Sequence, residues 1–202
     1  MINVGTPDEP TVESVRDYLR EFLLDPDVID APYLIRQILV RGIILRVRPG
    51  KVAPLYEKIW MDEGSPLRVY SERITESMSK HVDGIHIEHA MRYGNPSIRK
   101  GLENLREAGV TELLLLPMFP HHAQATTETA LKHAYKEMKA MSWQPKTIEM
   151  GHFPTDENYI NPLAKSIESH LTEGTHLLYS YHGLPVSPVS YTHLTLPTIR
   201  TV

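Results

Sequence analysis

Four leucines in succession, Leu113-Leu114-Leu115-Leu116, constrain the fold more than any other feature of this chain. A run with no polar member cannot present one wet and one dry face, so it predicts a parallel strand covered on both sides. Around it the apolar spacing switches between the periods of strand and helix. Residues 2–4 read as a strand end. Val12, Val15, Tyr18, Leu19, Phe22 and Leu23 form a helical stripe behind Thr11 as N-cap, stopped by Asp25-Pro26. Leu67, Tyr70, Ile74 and Met78 are helical again, and Ile85, Ile87 and Met91 alternate like a strand. Asn95-Pro96-Ser97 opens a helix with the stripe Ile98, Leu102 and Leu105, capped by Gly109. A helix over 130–138, a strand over 147–150, a helix over 159–171 and a strand over 176–181 complete the series. This rhythm predicts an α/β protein of doubly wound parallel sheets. Trp143-Gln144-Pro145 is the expected hinge between a first unit, residues 1–144, and the start of a second, residues 145–188.

Such folds place chemistry at the carboxyl ends of their strands. Residues 177–181 are read as a short buried strand, and Gly183 and Pro185 turn the chain away at once, leaving His182 at that end. An imidazole there can exchange protons near neutral pH and ligate a borderline metal. A lone His-Gly pair would more simply be a turn-holding histidine. Arg92 and Tyr93 follow directly on a strand and are expected to face a cleft, the guanidinium suited to a carboxylate or to positioning a neighbour. His121-His122 are cleft-wall residues, since adjacent histidines seldom reach one ion and two ligands leave a site unfilled. His81, His86 and His89 are expected to be solvated or on a strand surface.

With 202 residues, 41% hydrophobic and 23% charged, the chain can build real cores. A formal net charge of −4 with no evident basic face argues against nucleic-acid binding. Without cysteine there is no disulfide framework and no iron–sulfur cluster held on thiolates. No signal peptide is visible, which points to the cytoplasm. The most apolar window, residues 33–47, is too short and too charged to span a bilayer, being interrupted by Arg36, Arg41 and Arg46. It is read as a helix packed on the sheet. An amphipathic helix in peripheral membrane contact is the alternative.

Ser180-Tyr181-His182-Gly183-Leu184-Pro185 after an apolar run resembles the signature of the ferrochelatases. Further words occur in family order. Asn3-Val4-Gly5-Thr6-Pro7 is similar to the first strand and loop, and residues 15–29 to the first helix and its exit. Tyr56-Glu57-Lys58-Ile59-Trp60 with Gly64-Ser65-Pro66-Leu67 is similar to the segment bordering the porphyrin. Met91-Arg92-Tyr93-Gly94-Asn95-Pro96 and residues 119–127 follow. The resemblance implies two facing α/β domains and the insertion of Fe(II) into protoporphyrin IX, the last step of haem synthesis, with iron as substrate. His182 would be base and metal ligand. Tyr56, Ile59, Trp60, Ser65, Arg92 and Tyr93 would hold the porphyrin. Taken alone, Tyr56, Ile59 and Trp60 at helical spacing are more often core, and Gly64-Ser65-Pro66 is equally a plain loop.

The family's assisting glutamate is expected beyond the resemblance, so the chain by itself is expected to be an inactive, truncated piece. The first strand looks cut short. Residues 189–202, without Gly, Asp or Glu and without period, are read as a non-native tail. A cobalt or nickel chelatase for smaller tetrapyrroles and a non-catalytic tetrapyrrole-binding module are the competing readings.

Overall fold

The computed structural model describes residues 1–180, so His182 and the 189–202 tail lie outside the described residues. In chain order it contains β1 (Ile2–Thr6), α1 (Val12–Leu23), α2 (Tyr33–Gln37), a π-helical segment (Ile38–Ile44) and α3 (Leu45–Ile59). It continues with α4 (Pro66–Ser79), β2 (Ala90–Gly94), α5 (Ile98–Glu107), β3 (Glu112–Leu115), a π-helical turn (Gln124–Glu128) and α6 (Thr129–Ala140). β4 (Lys146–Glu149) and α7 (Glu157–Glu168) follow.

β1 and β2 are parallel, with Ile2 opposite Ala90 and Thr6 opposite Gly94. β3 and β4 are parallel, with Glu112 opposite Lys146 and Leu115 opposite Glu149. The pairs join through Ile2, whose N–H donates to Leu116 O at 2.8 Å and whose carbonyl accepts from Met118 N–H at 2.8 Å. The spatial order is therefore β2-β1-β3-β4. The chain leaves β1 to one side and returns to the other, and the carboxyl ends around that reversal are where such sheets bind ligands.

Caps and stripes behave as the spacing predicts. Thr11 accepts from Ser14 N–H at the start of α1, and Ser97 from Lys100 N–H at the start of α5. Ile98, Leu102 and Leu105 pack with Leu113, Leu115, Ala130, Ala134 and Met138 into the main core. Two glycines allow the ends of β1 and β2 to meet. Gly5 has φ +112°, and a side chain there would run directly onto the Tyr93 carbonyl. Gly94 has φ +84°, and a Cβ would sit 2.7 Å from Thr6 O.

Several expectations are corrected. The strand near residue 90 begins at Ala90, and Ile85 is 62% exposed in the preceding connection. Leu114 is 55% exposed and Ile148 53%, so among the described residues the β3–β4 half of the sheet is covered on one face only. Leu113 and Leu115 alone take the buried side, as period-two geometry requires. β4 runs beside β3 in one sheet, where Lys146 N–H bonds Thr111 O at 2.8 Å, and Trp143, the expected hinge, packs against the main core. Residues 176–180 form no strand, and Leu177 and Leu178 are exposed. An extended segment becomes a strand only through ladder hydrogen bonds to a neighbour, which apolar content alone does not supply.

The window 33–47 does not pack on the sheet either. α2, the π segment and α3 run as one rod against α1, where Val15, Leu19 and Leu23 meet Val40, Leu45 and Ala53 in a second core. Its buried members, Arg36, Val40, Leu45, Pro49 and Ala53, are spaced four, five, four, four. The five-residue step falls in the π segment, whose wider turn accommodates the extra residue and keeps the face continuous. Leu34, Ile38, Ile43 and Val47, spaced four, five, four, form a second line that is 53–71% exposed. Among the described residues no helix is long and apolar enough to cross a membrane.

Candidate active site

At the carboxyl end of β2, Arg92 and Tyr93 converge on Asp25, two residues past the end of α1. An Arg92 Nη2 donates to Asp25 Oδ2, and Arg92 Nε donates to Thr129 Oγ1 at 2.8 Å. Tyr93 donates its phenol proton to the same Asp25 oxygen at 2.8 Å, and Thr129 donates to it at 2.6 Å. Asp25 Oδ1 accepts from Asp27 N–H at 2.8 Å. The guanidinium carbon lies 4.3 Å from the Tyr93 ring centroid, and Phe22 meets that ring edge-on at 5.0 Å.

Burial would raise the Asp25 carboxyl's pKa. The hydrogen bonds from Thr129, Asp27 N–H and Tyr93, with the Arg92 charge, more than offset it and hold the group below its usual range. Burial pushes the Tyr93 phenol upward, so it stays a proton donor to Asp25. A carboxylate accepting four hydrogen bonds is a poor base. Its work is to hold Arg92.

Arg92, Asp25 and Thr129 form the floor of a cleft of about 1020 Å³ whose lining also includes Pro7, Glu21 and Lys132. Tyr93 has no exposed surface, so it acts through Asp25 and Arg92 rather than by touching a ligand. Arg92 commits Nε and Nη2 to protein partners, leaving Nη1 without a described one. Ser65 is only 4% exposed and accepts from Thr6 Oγ1 at 2.7 Å, so it ties the end of β1 to the start of α4. Tyr56 and Trp60 meet edge to face at 6.4 Å near the end of α3, with Ile59 59% exposed beside them. The structure thus forms two groups: a charged floor under Arg92, and an aromatic and aliphatic lip at Tyr56, Ile59 and Trp60. Thr6 borders the first and bonds the Ser65 that follows the second.

His122 Nε2 lies 3.2 Å from Glu128 Oε1, and its ring faces that of His152 at 6.4 Å. Among the described residues no set of three or more His, Asp or Glu side chains is placed to hold a metal ion. His81 and His86 are exposed, as expected. His89 is half-buried: its Nε2 is sealed without a hydrogen-bond partner among the described residues, and burial lowers its pKa.

Sequence reasoning missed Asp25, Thr129 and Thr6. Asp25 before Pro26 reads as a helix stop, and nothing in a single chain links position 25 to positions 92 and 129. The one available signal was that Arg92 needed an acid if buried.

A parallel α/β sheet with polar side chains gathered at the carboxyl ends on either side of its reversal defines the doubly wound class of ligand-binding folds. Residues 1–200 match the family model described as Ferrochelatase, and the chain belongs to the ferrochelatase family. It is similar to the ferrochelatases of Coxiella burnetii strains CbuG_Q212 and RSA 493 / Nine Mile phase I, each 44% identical over 193 residues, 92% of this chain and 52% of the relative. The chain spans about half the length of the curated relatives it matches.

Proposed function

We propose that this chain is the porphyrin-binding half of a ferrochelatase, contributing to insertion of Fe(II) into protoporphyrin IX. The family match over residues 1–200 carries this reading. The reaction needs an apolar slot for a flat macrocycle, donors for two propionates, and a base that removes two pyrrole protons. Tyr56, Ile59 and Trp60 supply apolar and aromatic area. Arg92, fixed by Asp25 and Tyr93, offers a pre-aimed cation, and Ser65 fixes the turn beneath the lip. His182 takes the pyrrole proton and receives the metal, as a neutral imidazole suits Fe(II) and titrates near neutral pH.

The same reading places the protein in the cytoplasm with peripheral membrane contact. The exposure of Leu34, Ile35, Ile38 and Ile43 supports that contact, because contiguous exposed apolar surface marks an interaction site.

Titrating protoporphyrin IX while following its absorbance and the fluorescence of Trp60 and Trp143 tests the reading. Saturable binding that weakens in Trp60→Ala supports it. No binding by the chain overturns it. Fe(II) insertion assayed alongside separates a chelatase from a module that only binds the macrocycle.

A further inference from the structure

Resting on the reading that Arg92 meets a porphyrin carboxylate, we propose that Phe22 is a positioning residue. Through the Tyr93 ring it sets the tilt of the Arg92 guanidinium, and with it the direction in which Nη1 enters the cleft.

A guanidinium is planar, and Nε–H and one Nη2–H share an edge. In Arg92 that edge is taken: Nε donates to Thr129 Oγ1 at 2.8 Å and Nη2 to Asp25 Oδ2. Two bonds along one edge act as a hinge. They fix the edge and leave the plane to tilt about it, carrying Nη1 on the far side. The tilt is limited by what lies against the flat face. Here that is the Tyr93 ring, whose centroid is 4.3 Å from the guanidinium carbon.

Tyr93 is held at both ends of its long axis, by β2 at its backbone and by the phenol proton donated to Asp25 at 2.8 Å. What remains is rotation about that axis, and Phe22 opposes it. Its ring meets Tyr93 edge to face at 5.0 Å, with 72° between the planes. Tyr18 stacks on Phe22 at 6.0 Å and only 9° from parallel, so Phe22 is itself braced. Tyr18, Glu21 and Phe22 share one face of α1 at helical spacing. Glu21 accepts from Gly94 N–H at 2.9 Å, so the same face also fixes the strand end that carries Arg92 and Tyr93. Phe22 is half-buried and does not line the cleft, so it acts on a ligand only through Tyr93 and Arg92.

The test compares protoporphyrin IX with its dimethyl ester, which keeps the macrocycle and loses both carboxylate charges, by absorbance titration of the whole chain. The preference for the acid should fall on the order of 10- to 100-fold in Arg92→Gln, which removes a charged hydrogen bond. Phe22→Leu should lower it roughly two- to tenfold, the range of one aromatic pair. Phe22→Tyr, which keeps the ring, should retain it. In the Arg92→Gln background, Phe22→Leu should lower it no further. Equal weakening of acid and ester by Phe22→Leu, or the same loss of preference with and without Arg92, would overturn the proposal and leave Phe22 a packing residue only.

A second measurement needs no porphyrin. The Arg92 Nε–H proton, assigned by its loss in Arg92→Gln, lies beside the Tyr93 ring, and its nuclear magnetic resonance shift reports the tilt. It should move in Phe22→Leu and return in Phe22→Tyr, and an unmoved resonance overturns the proposal. If neither porphyrin binds the wild-type chain, the porphyrin reading falls and this resonance alone decides the positioning. If Phe22→Leu does not fold by circular dichroism, Phe22→Met takes its place in both measurements.

Discussion

Asp25 and Arg92, 67 residues apart in the chain, meet as a buried ion pair with side chains only 5% and 12% exposed. The pair joins the end of α1 to the end of β2. Removing one partner strands the other without compensation, so Asp25→Ala should cost about 3–5 kcal/mol in urea unfolding. Tyr93→Phe removes one of several donors to the same carboxylate and should cost only roughly 1 kcal/mol. Equal losses in the two variants would mean that the carboxylate is not the centre of this network.

The same pair sets an acid limit. Asp25 has a folded pKa below its unfolded value, so its stabilising contribution is fully present above the ordinary carboxylate range near about 4. It is lost as pH falls through the lower folded value. The stability gap between the wild-type chain and Asp25→Asn should therefore be widest near neutral pH and narrow on acidification. Denaturation series at several pH values check this, and a gap that grows in acid would contradict it.

Gly5 and Gly50 should respond oppositely to alanine. At Gly5 the positive φ and the Tyr93 carbonyl both oppose a side chain, and the obstacle is backbone that cannot swing away. Gly5→Ala should cost more than about 2 kcal/mol and separate β1 from β2. Gly50 lies in α3 with open space around it, and Gly50→Ala should stabilise by about 0.5–1 kcal/mol. Thermal unfolding of both variants tests the contrast.

The open sheet face should govern self-association. Leu114→Lys with Ile148→Lys touches side chains already half exposed, so stability should change by less than about 0.5 kcal/mol per site. Sedimentation velocity should show less association in this variant than in the parent chain. Unchanged association would place the sticky surface elsewhere.

Much of the fold was legible because helix stripes and caps are local. Thr11, Ser97 and the Ile98-Leu102-Leu105 stripe state their roles within a few residues. What failed depends on partners distant in sequence. Leu114 looks as buried as Leu115, and only the absence of a covering layer separates them. Residues 33–47 announce a helix, but not that α1 stands between it and the sheet. Trp143 before Pro145 reads as a hinge, and its packing against the main core is not visible in the sequence. For the site, Arg92 and Tyr93 were found from their place after a strand. Their commitment to Asp25 was invisible, since no spacing rule connects positions 25, 92 and 129.

β1 lies inside the sheet, held by β2 on one side and by residues 116–118 on the other. Its neighbours are translated long after it. At ordinary elongation rates the ribosome needs roughly 5–20 s between Ile2 and the residues that flank it. Throughout that interval an interior strand of the sheet is a nascent segment with no ladder neighbour yet made. Sealing it closes the longest loops in the domain, which makes this step slow as well as late. β1 is therefore made before its neighbours and sheltered only once they follow, and until then it is the strand of this sheet that depends most on chaperones.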